Sequence, residues 1–181
     1  MAVSLVLLFT GHRIDTIDRP APRFPIARAP FVARLIASAL PKDLQVGISS
    51  AANGGDILFL EACAARAIPC HIILPFTPEE FIRRSVATDA SGDWEKRFHR
   101  AWSATPEERR YILSIPAGVD PYVACNDALL ALASALGEPQ LVALWDGKVS
   151  DGPGGTADLV AKARSEGWPV KLIDPRQAKI R

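Results

Sequence analysis

The stretch of residues 141–163 constrains the fold of this chain more than any other part of the sequence. It begins with the apolar run LVALW at 141–145, passes through the glycine-dense segment GPGGT at 152–156, and ends in a helix-like pattern at 157–163. A strand followed by a glycine loop and a helix points unpaired main-chain N–H groups, at the positive end of the helix dipole, towards an anion. Glycines let a phosphate approach the backbone closely, but they also serve an ordinary tight turn. On this motif alone, phosphate binding and a simple strand-to-helix turn both stay open.

The same alternation of strand and helix patterns runs along the whole chain. Further strands are predicted at 3–9, 44–49, 71–74, 111–115 and 169–173. Helices are predicted at 31–40, 57–67, 78–86 and 121–136. This alternation implies an α/β fold of the Rossmann-like, doubly wound type, with a mostly parallel sheet and helices on both faces. With 181 residues and no obvious linker, we expect a single domain that spans residues 1–181.

Polar residues mark the expected helix starts. The tetrapeptide Thr-Pro-Glu-Glu occurs at 77–80 and again at 105–108, and each copy predicts an N-terminal helix cap with proline in the first turn. Asp56 and Asp120 are candidate N-caps of the helices that follow them. A different kind of segment lies at 14–30, where four prolines and three arginines alternate in a connection of unusual length. Such loops often serve as lids or binding loops.

Composition argues against several classes of partner. A formal net charge of +1 gives no reason to expect a nucleic-acid or membrane-surface partner. The apolar run at 3–9 is too short to span a membrane. The three cysteines are an odd number without CxxC spacing, which indicates free thiols and a reducing cytoplasm. The sequence has no cluster of cysteine, histidine and acidic residues that predicts a metal site, and we expect no cofactor.

Three loops directly follow predicted strands, at 10–13, 49–56 and 146–158. The carboxyl ends of parallel strands lie at one edge of a sheet, and ligands of such sheets bind there, so we expect the three loops to meet. The candidate phosphate- or nucleotide-binding residues in these loops are Thr10, Gly11, His12, Arg13, Asn53, Gly54, Gly55, Gly154, Gly155 and Thr156. The chain contains neither the P-loop pattern nor GxGxxG, so a conventional dinucleotide fingerprint is absent.

Further side chains are expected to line the same pocket. Tyr122 and Asn126 are i, i+4 partners at the start of one helix, so both can face one side. Trp145 and Asp146 stand at the end of a strand, where the indole either stacks on a base or packs in the core. Arg13 offers a planar guanidinium fork to a phosphate.

The loop residues resemble those of the SLOG superfamily. The resemblance is carried by TGHR at 10–13, by ANGGD at 52–56 before a helix, and by PGGT at 153–156 after a strand, and it extends from residue 3 to residue 173. This superfamily comprises Rossmann-like nucleotide-binding domains and includes LOG-type and DprA-like proteins. The resemblance implies a small-molecule ligand with a nucleotide or ribose-phosphate group, and it also implies a LOG-like homodimer.

Catalytic LOG-type members hydrolyse nucleoside monophosphates to the free base and ribose 5-phosphate. In those members a glutamate follows the glycine-threonine motif by two residues, and an arginine–lysine pair lies on the preceding helix. Here the matching acid is Asp158, and the preceding helix offers Tyr122, Asn126 and Asp127 instead of the basic pair. Both departures favour the binding or sensing of a nucleotide-derived molecule over hydrolysis.

Two other functions compete with binding. The first is an N-glycosidase, in which Asp158 or Asp56 acts near the sugar while Arg13 holds the 5′-phosphate. Either aspartate is equally explained as an ordinary acid at a helix start, where the helix dipole favours negative charge. The second is a nicotinamide-dependent oxidoreductase, which the missing GxGxxG pattern disfavours.

Overall fold

A six-stranded, entirely parallel sheet forms the centre of the structure, a computed structural model that describes residues 4–87, 92–149 and 152–176. The strands are β1 Leu5–Gly11, β2 Val46–Ser49, β3 Cys70–Leu74, β4 Arg110–Ile112, β5 Glu138–Leu144 and β6 Val170–Ile173. Their order across the sheet is β4-β3-β2-β1-β5-β6, and each neighbouring pair is parallel. The predicted Rossmann-like α/β fold is confirmed.

Helices cover both faces of the sheet. They are α1 Ala29–Ala39, α2 Gly55–Ala65, α3 Pro78–Phe81, α4 Trp94–Ala104, α5 Pro121–Leu136 and α6 Thr156–Ser165. The helix predicted at 78–86 divides into α3 and a π-helical turn, Ile82–Val86, in which Ala87 N–H donates to Ile82 O at 2.8 Å. Single 3₁₀ turns lie at Ile26–Arg28 and Glu107–Arg109.

The position of β1 in the middle of the sheet explains why its sequence is continuously apolar. Leu7 and Phe9 face the core that α1, α2 and α4 cover, whereas Val6 and Leu8 face the core under α5 and α6. All four side chains are at most 1% exposed. A strand buried on both faces cannot alternate apolar and polar residues, so it is read as a hydrophobic run.

The sheet has one topological switch point. From β1 the chain proceeds outward through β2 and β3 to the edge strand β4, and α5 then returns it to the other side of β1. β5 pairs with β1 over seven residues, from Leu5 opposite Glu138 to Gly11 opposite Leu144. In open α/β sheets the crevice outside the carboxyl ends of the strands at such a reversal is the usual ligand site.

Local predictions needed correction where loops and elements join. Thr10 and Gly11, predicted as a turn, are the last two residues of β1. The predicted N-cap role of Asp56 is wrong, because Gly54 is the N-cap of α2 and Asp56 lies inside the first helical turn. Gly54 has a φ of 84°, in the range that favours glycine, and Asp56 follows this cap by two residues.

The two copies of Thr-Pro-Glu-Glu behave differently. Thr77 caps α3 as predicted, since its side chain accepts a hydrogen bond from Glu80 N–H at 3.4 Å. The cap predicted at Thr105 is wrong, because its hydroxyl donates to Ala101 O at 2.9 Å and so closes the preceding helix α4. The residues after it form only one 3₁₀ turn, since the chain enters β4 at Arg110.

Candidate functional site

The three predicted loops meet at the carboxyl edge of the sheet. Gly55 N–H donates to His12 O at 3.1 Å, which joins the loop after β2 to the loop after β1. The hydroxyl oxygens of Thr10 and Thr156 lie 3.5 Å apart, which brings the end of β1 to the start of α6. Together the loops surround a cavity of about 550 Å³. This volume is typical of small-molecule sites.

Most of the predicted site residues line this cavity. Those that do so are Thr10, Gly11, His12, Arg13, Asp56, Tyr122, Asn126, Trp145, Gly154, Gly155 and Thr156. The predicted residues that do not line it are Asn53, Gly54, Gly55, Asp146 and Asp158. The cavity thus brings together residues from all three loops, but the predicted set mixes residues that line it with residues that do not.

Two glycines are required by the contact between loops. A Cβ on Gly54 would lie 2.8 Å from both His12 O and Ile14 N. A Cβ on Gly154, whose φ is 70°, would lie 2.4 Å from the carbonyl carbon of Tyr122. Real side chains do not tolerate such distances, so these glycines let the loops pack against each other and against α5.

Asn53 is a structural residue below the site. Its side chain is fully buried; Oδ1 accepts from Ile14 N–H at 3.1 Å and Nδ2 donates to Val86 O at 2.9 Å. Its own N–H donates to Ser85 O at 2.9 Å. These bonds tie the loop after β1 to the π-helical turn, and they occupy the amide that the sequence suggested for a nucleotide.

Asp56 is a buried carboxyl group at the cavity. Its residue is 7% exposed, and Oδ2 accepts from Ala52 N–H at 3.3 Å. Oδ1 is buried and has no hydrogen-bond partner within the described residues. Burial raises the pKa of Asp56 to about 7, although the Gly11 N–H, the Ser49 hydroxyl and Arg13 lie near enough to act in the opposite direction. A carboxyl group with this pKa can gain or lose a proton near neutral pH.

His12 and Asp146 connect the strands on either side of the switch point. His12 Nε2 lies 3.1 Å from Asp146 Oδ1 and 3.1 Å from the Asp146 main-chain nitrogen. Burial lowers the pKa of His12 against the opposing effect of the carboxylate. Burial would raise the pKa of Asp146, but the Lys148 N–H, His12 and Arg23 together lower it. The pair fixes the loop after β1 to the loop after β5, and its His12 lines the cavity.

The start of α6 faces the cavity, and Asp158 lies to its side. Gly155 is the N-cap, in an extended conformation with φ −80° and ψ −177°. Asn126 Nδ2 reaches Gly155 O at 3.4 Å and Asp158 Oδ2 at 2.9 Å, and Lys162 Nζ lies 3.1 Å from the same carboxylate oxygen. Asp158 is thus held between α5 and the outer part of α6.

The proline-rich loop supplies two arginines that sequence reasoning did not place in the site. Arg19 and Arg23 both line the cavity. The carboxylate of Asp15 accepts from Arg23 N–H and Phe24 N–H, each at 2.9 Å, and Phe24 is fully buried. Arg23 Nη2 donates to Val149 O at 3.0 Å, which connects this loop to the one after β5. The alternation of proline and arginine was the available signal, because it had marked the segment as a binding loop.

The π-helical turn and α5 also contribute to the lining. Ser85 Oγ lies 3.4 Å from the Tyr122 hydroxyl, and Arg13 donates to Arg84 O at 2.8 Å. The thiol of Cys125 also lines the cavity, and burial raises its pKa to about 12. A thiol with that pKa is not a nucleophile at neutral pH. No pattern in the sequence predicts the π-helical turn.

Within residues 4–87, 92–149 and 152–176, no group of three or more histidine, cysteine or acidic side chains is arranged to hold a metal ion. No helix in the described part of the chain has both the length and the apolar character needed to cross a membrane.

The fold and the cavity together define a Rossmann-like α/β protein with one candidate ligand site at the switch point of the sheet. No protein-family model matches the chain, and no curated protein matches it. Among solved structures, the chain is similar to DNA processing protein A (DprA) from Streptococcus pneumoniae, at 14% sequence identity and a TM-score of 0.39. The similarity covers 94% of this chain and 59% of that one.

Proposed function

We propose that this chain binds a small, nucleotide-derived molecule that contains a ribose-phosphate group. The observation that carries the proposal is the position of α6, whose first residues Gly155 and Thr156 line the cavity at the switch point of the sheet. Within the described residues no side chain caps this helix. Uncapped N–H groups and the helix dipole favour an anion at this position.

Arginine side chains support an anionic ligand. The cavity is lined by Arg13, Arg19, Arg23 and Arg84. Arg13 is exposed, and its guanidinium uses one nitrogen on Arg84 O, which orients the group beside the cavity. A guanidinium held in this way is well suited to a phosphate, because it offers several donors in one plane.

Aromatic side chains suit the other end of a nucleotide. Trp145 lines the cavity, and its Nε1 donates to Lys148 O at 2.8 Å, which fixes the indole. Tyr122 lines it as well and packs edge-on against Phe76, with ring centroids 5.6 Å apart. Fixed aromatic rings beside a cationic groove are the usual platform for a base.

Native mass spectrometry of the purified protein tests the proposal directly. We expect either a co-purifying nucleotide-derived molecule or, in isothermal titration calorimetry, binding of at least one 5′-ribonucleoside monophosphate. Inorganic phosphate and the matching nucleoside serve as controls, and each should bind more weakly than the nucleotide. A protein that carries no ligand and binds none of the nucleotides would contradict the proposal.

One observation favours a second function, the N-glycosidase. Asp56 is a buried carboxyl group at the cavity with a pKa of about 7, which suits a general acid or base at neutral pH. In this reaction water forms a bond to the sugar carbon, the bond to the base breaks, and the base leaves with a proton. Incubation with nucleoside monophosphates and NAD should then release free base, and Asp56→Asn should abolish the release. If the wild-type protein releases no base, the enzymatic alternative is excluded for these substrates.

A further inference from the structure

Asp56 lines the cavity, and the acceptor capacity of one of its carboxyl oxygens is unused by the residues that the structure describes. The residue is 7% exposed, and Oδ1 has no hydrogen-bond partner within the described residues. A buried polar atom without a partner costs free energy in the unliganded protein. Such an atom is explained when a ligand supplies the missing donor.

In the described part of the chain, the nearest donors do not complete a hydrogen bond to Oδ1. The Ser49 hydroxyl donates to Phe9 O at 3.1 Å, and the Ser50 hydroxyl donates to Ile73 O at 2.9 Å. The N–H of Ala52 is bonded to the other carboxyl oxygen, Oδ2. The groups that face Asp56 from β1, β2, the loop after β1 and α5 are the Gly11 N–H, the Ser49 hydroxyl, Arg13 and the Cys125 thiol.

We propose that Asp56 Oδ1 accepts a hydrogen bond from a sugar hydroxyl of the bound nucleotide, so that the site prefers ribonucleotides to deoxyribonucleotides. This inference rests on the function proposed above and assigns Asp56 as the residue that determines sugar specificity. A carboxylate repels phosphate, so we place the phosphate at the start of α6 and not beside Asp56. A hydroxyl is a neutral donor, and in a ribose phosphate it lies a few bonds from the phosphate.

The connections within the site agree with this orientation. Asp56 faces Cys125 of α5, and the next residue, Asn126, contacts Gly155 O at the start of α6. The carboxyl group and the helix start therefore line the same cavity and are connected through the first turns of α5. A sugar between them can offer its hydroxyls to the carboxyl group and its phosphate to the helix start.

The size of the effect follows from the strength of a hydrogen bond to a charged acceptor. We expect wild-type protein to bind a ribonucleotide about tenfold to hundredfold more tightly than its 2′-deoxy or 3′-deoxy counterpart. In Asp56→Ala this ratio should fall close to one. Asp56→Asn keeps a neutral acceptor, so its ratio should lie between those of the wild type and the alanine variant.

Isothermal titration calorimetry at pH 8 is the test, with AMP, GMP, CMP and UMP and the 2′-deoxy and 3′-deoxy forms of each as probes. Asp127→Ala is the matched control, because Asp127 is also an acid near the α5–α6 contact but its side chain is 61% exposed and bonded to Lys162. Thermal unfolding of each variant shows that it is folded. The wild-type comparison of ribo and deoxy probes needs no variant and remains decisive if Asp56→Ala fails to fold.

Two results would overturn the inference in distinguishable ways. If wild-type protein binds none of the probes and carries no co-purified nucleotide, the proposed function fails and this inference fails with it. If ribo and deoxy forms bind equally well, or if Asp56→Ala leaves their ratio unchanged, the role of Asp56 is refuted while nucleotide binding stands.

Discussion

The buried carboxyl group of Asp56 should make the stability of this protein depend on pH in a way that one substitution removes. The residue is 7% exposed, and burial raises its pKa from an ordinary 3.8 to about 7. The native state therefore binds this proton more tightly than the unfolded chain does. We expect Asp56→Asn, which keeps the shape but cannot ionise, to be more stable than wild type above neutral pH.

The sign and the magnitude follow from linkage. Because the native pKa of Asp56 is the higher one, its contribution to stability is fully present below about pH 4 and is lost as the pH rises through about 7. The difference between 3.8 and about 7 corresponds to about 4 kcal/mol at alkaline pH. About 2–3 kcal/mol of this amount develops between about pH 5 and pH 8. The side chain is almost completely buried, so solvent screening reduces these figures little.

Urea unfolding of wild type and Asp56→Asn at half-unit steps from pH 5 to pH 8 measures the effect. The difference in free energy of unfolding between the two proteins isolates Asp56, because the other titrating groups cancel. The free energy of unfolding of Asp56→Asn should exceed that of wild type by an amount that grows steadily with pH. A difference that stays constant over this range would refute the argument and would show that the carboxyl group is hydrated or paired in solution. Asp127→Asn, which removes the same charge from an exposed acid, serves as the control.

Three further substitutions test the loops. Gly154→Ala should destabilise the fold by at least about 1–2 kcal/mol, measured by urea unfolding, because the residue has a φ of 70° and its Cβ would clash with Tyr122. Gly155→Val should leave the free energy of unfolding nearly unchanged, because φ −80° and ψ −177° suit any residue. The same variant should abolish nucleotide binding in calorimetry, and an unchanged affinity would contradict the assignment of this loop. Arg13→Ala should weaken nucleotides about tenfold and spare nucleosides, and equal losses for both would contradict a phosphate contact.

Most of the sheet could be predicted from the sequence, because a parallel strand buried on both faces has a distinctive composition. Residues 3–9 and 141–145 were predicted as strands, and the structure has β1 at Leu5–Gly11 and β5 at Glu138–Leu144. The observed strands differ at their ends because main-chain pairing continues past the apolar residues. Thr10, for example, pairs with Ala143 although its side chain is polar.

The convergence of the loops was also predictable, since parallel strands place their carboxyl ends at one edge. Which residues of these loops line the cavity, and which of them support it, could not be predicted. Asn53 and Gly54 match a ligand-binding pattern as sequence, but long-range contacts decide that they support the site: Asn53 bonds to Val86, and Gly54 packs on His12. Such contacts join residues far apart in the chain, and no local spacing encodes them.

The π-helical turn at Ile82–Val86 determines how this part of the cavity lining responds to deletions and substitutions. Compared with an ordinary α-helix, this turn contains one additional residue. Deleting one residue there would remove the surplus residue and restore ordinary α-helical hydrogen bonding, so the residues of this turn would change position. Arg84 and Ser85 would then no longer line the cavity as they do here. Asn53 would also lose its hydrogen bonds to Val86 O and Ser85 O. A one-codon deletion in this segment is therefore expected to be far more damaging than most substitutions in it.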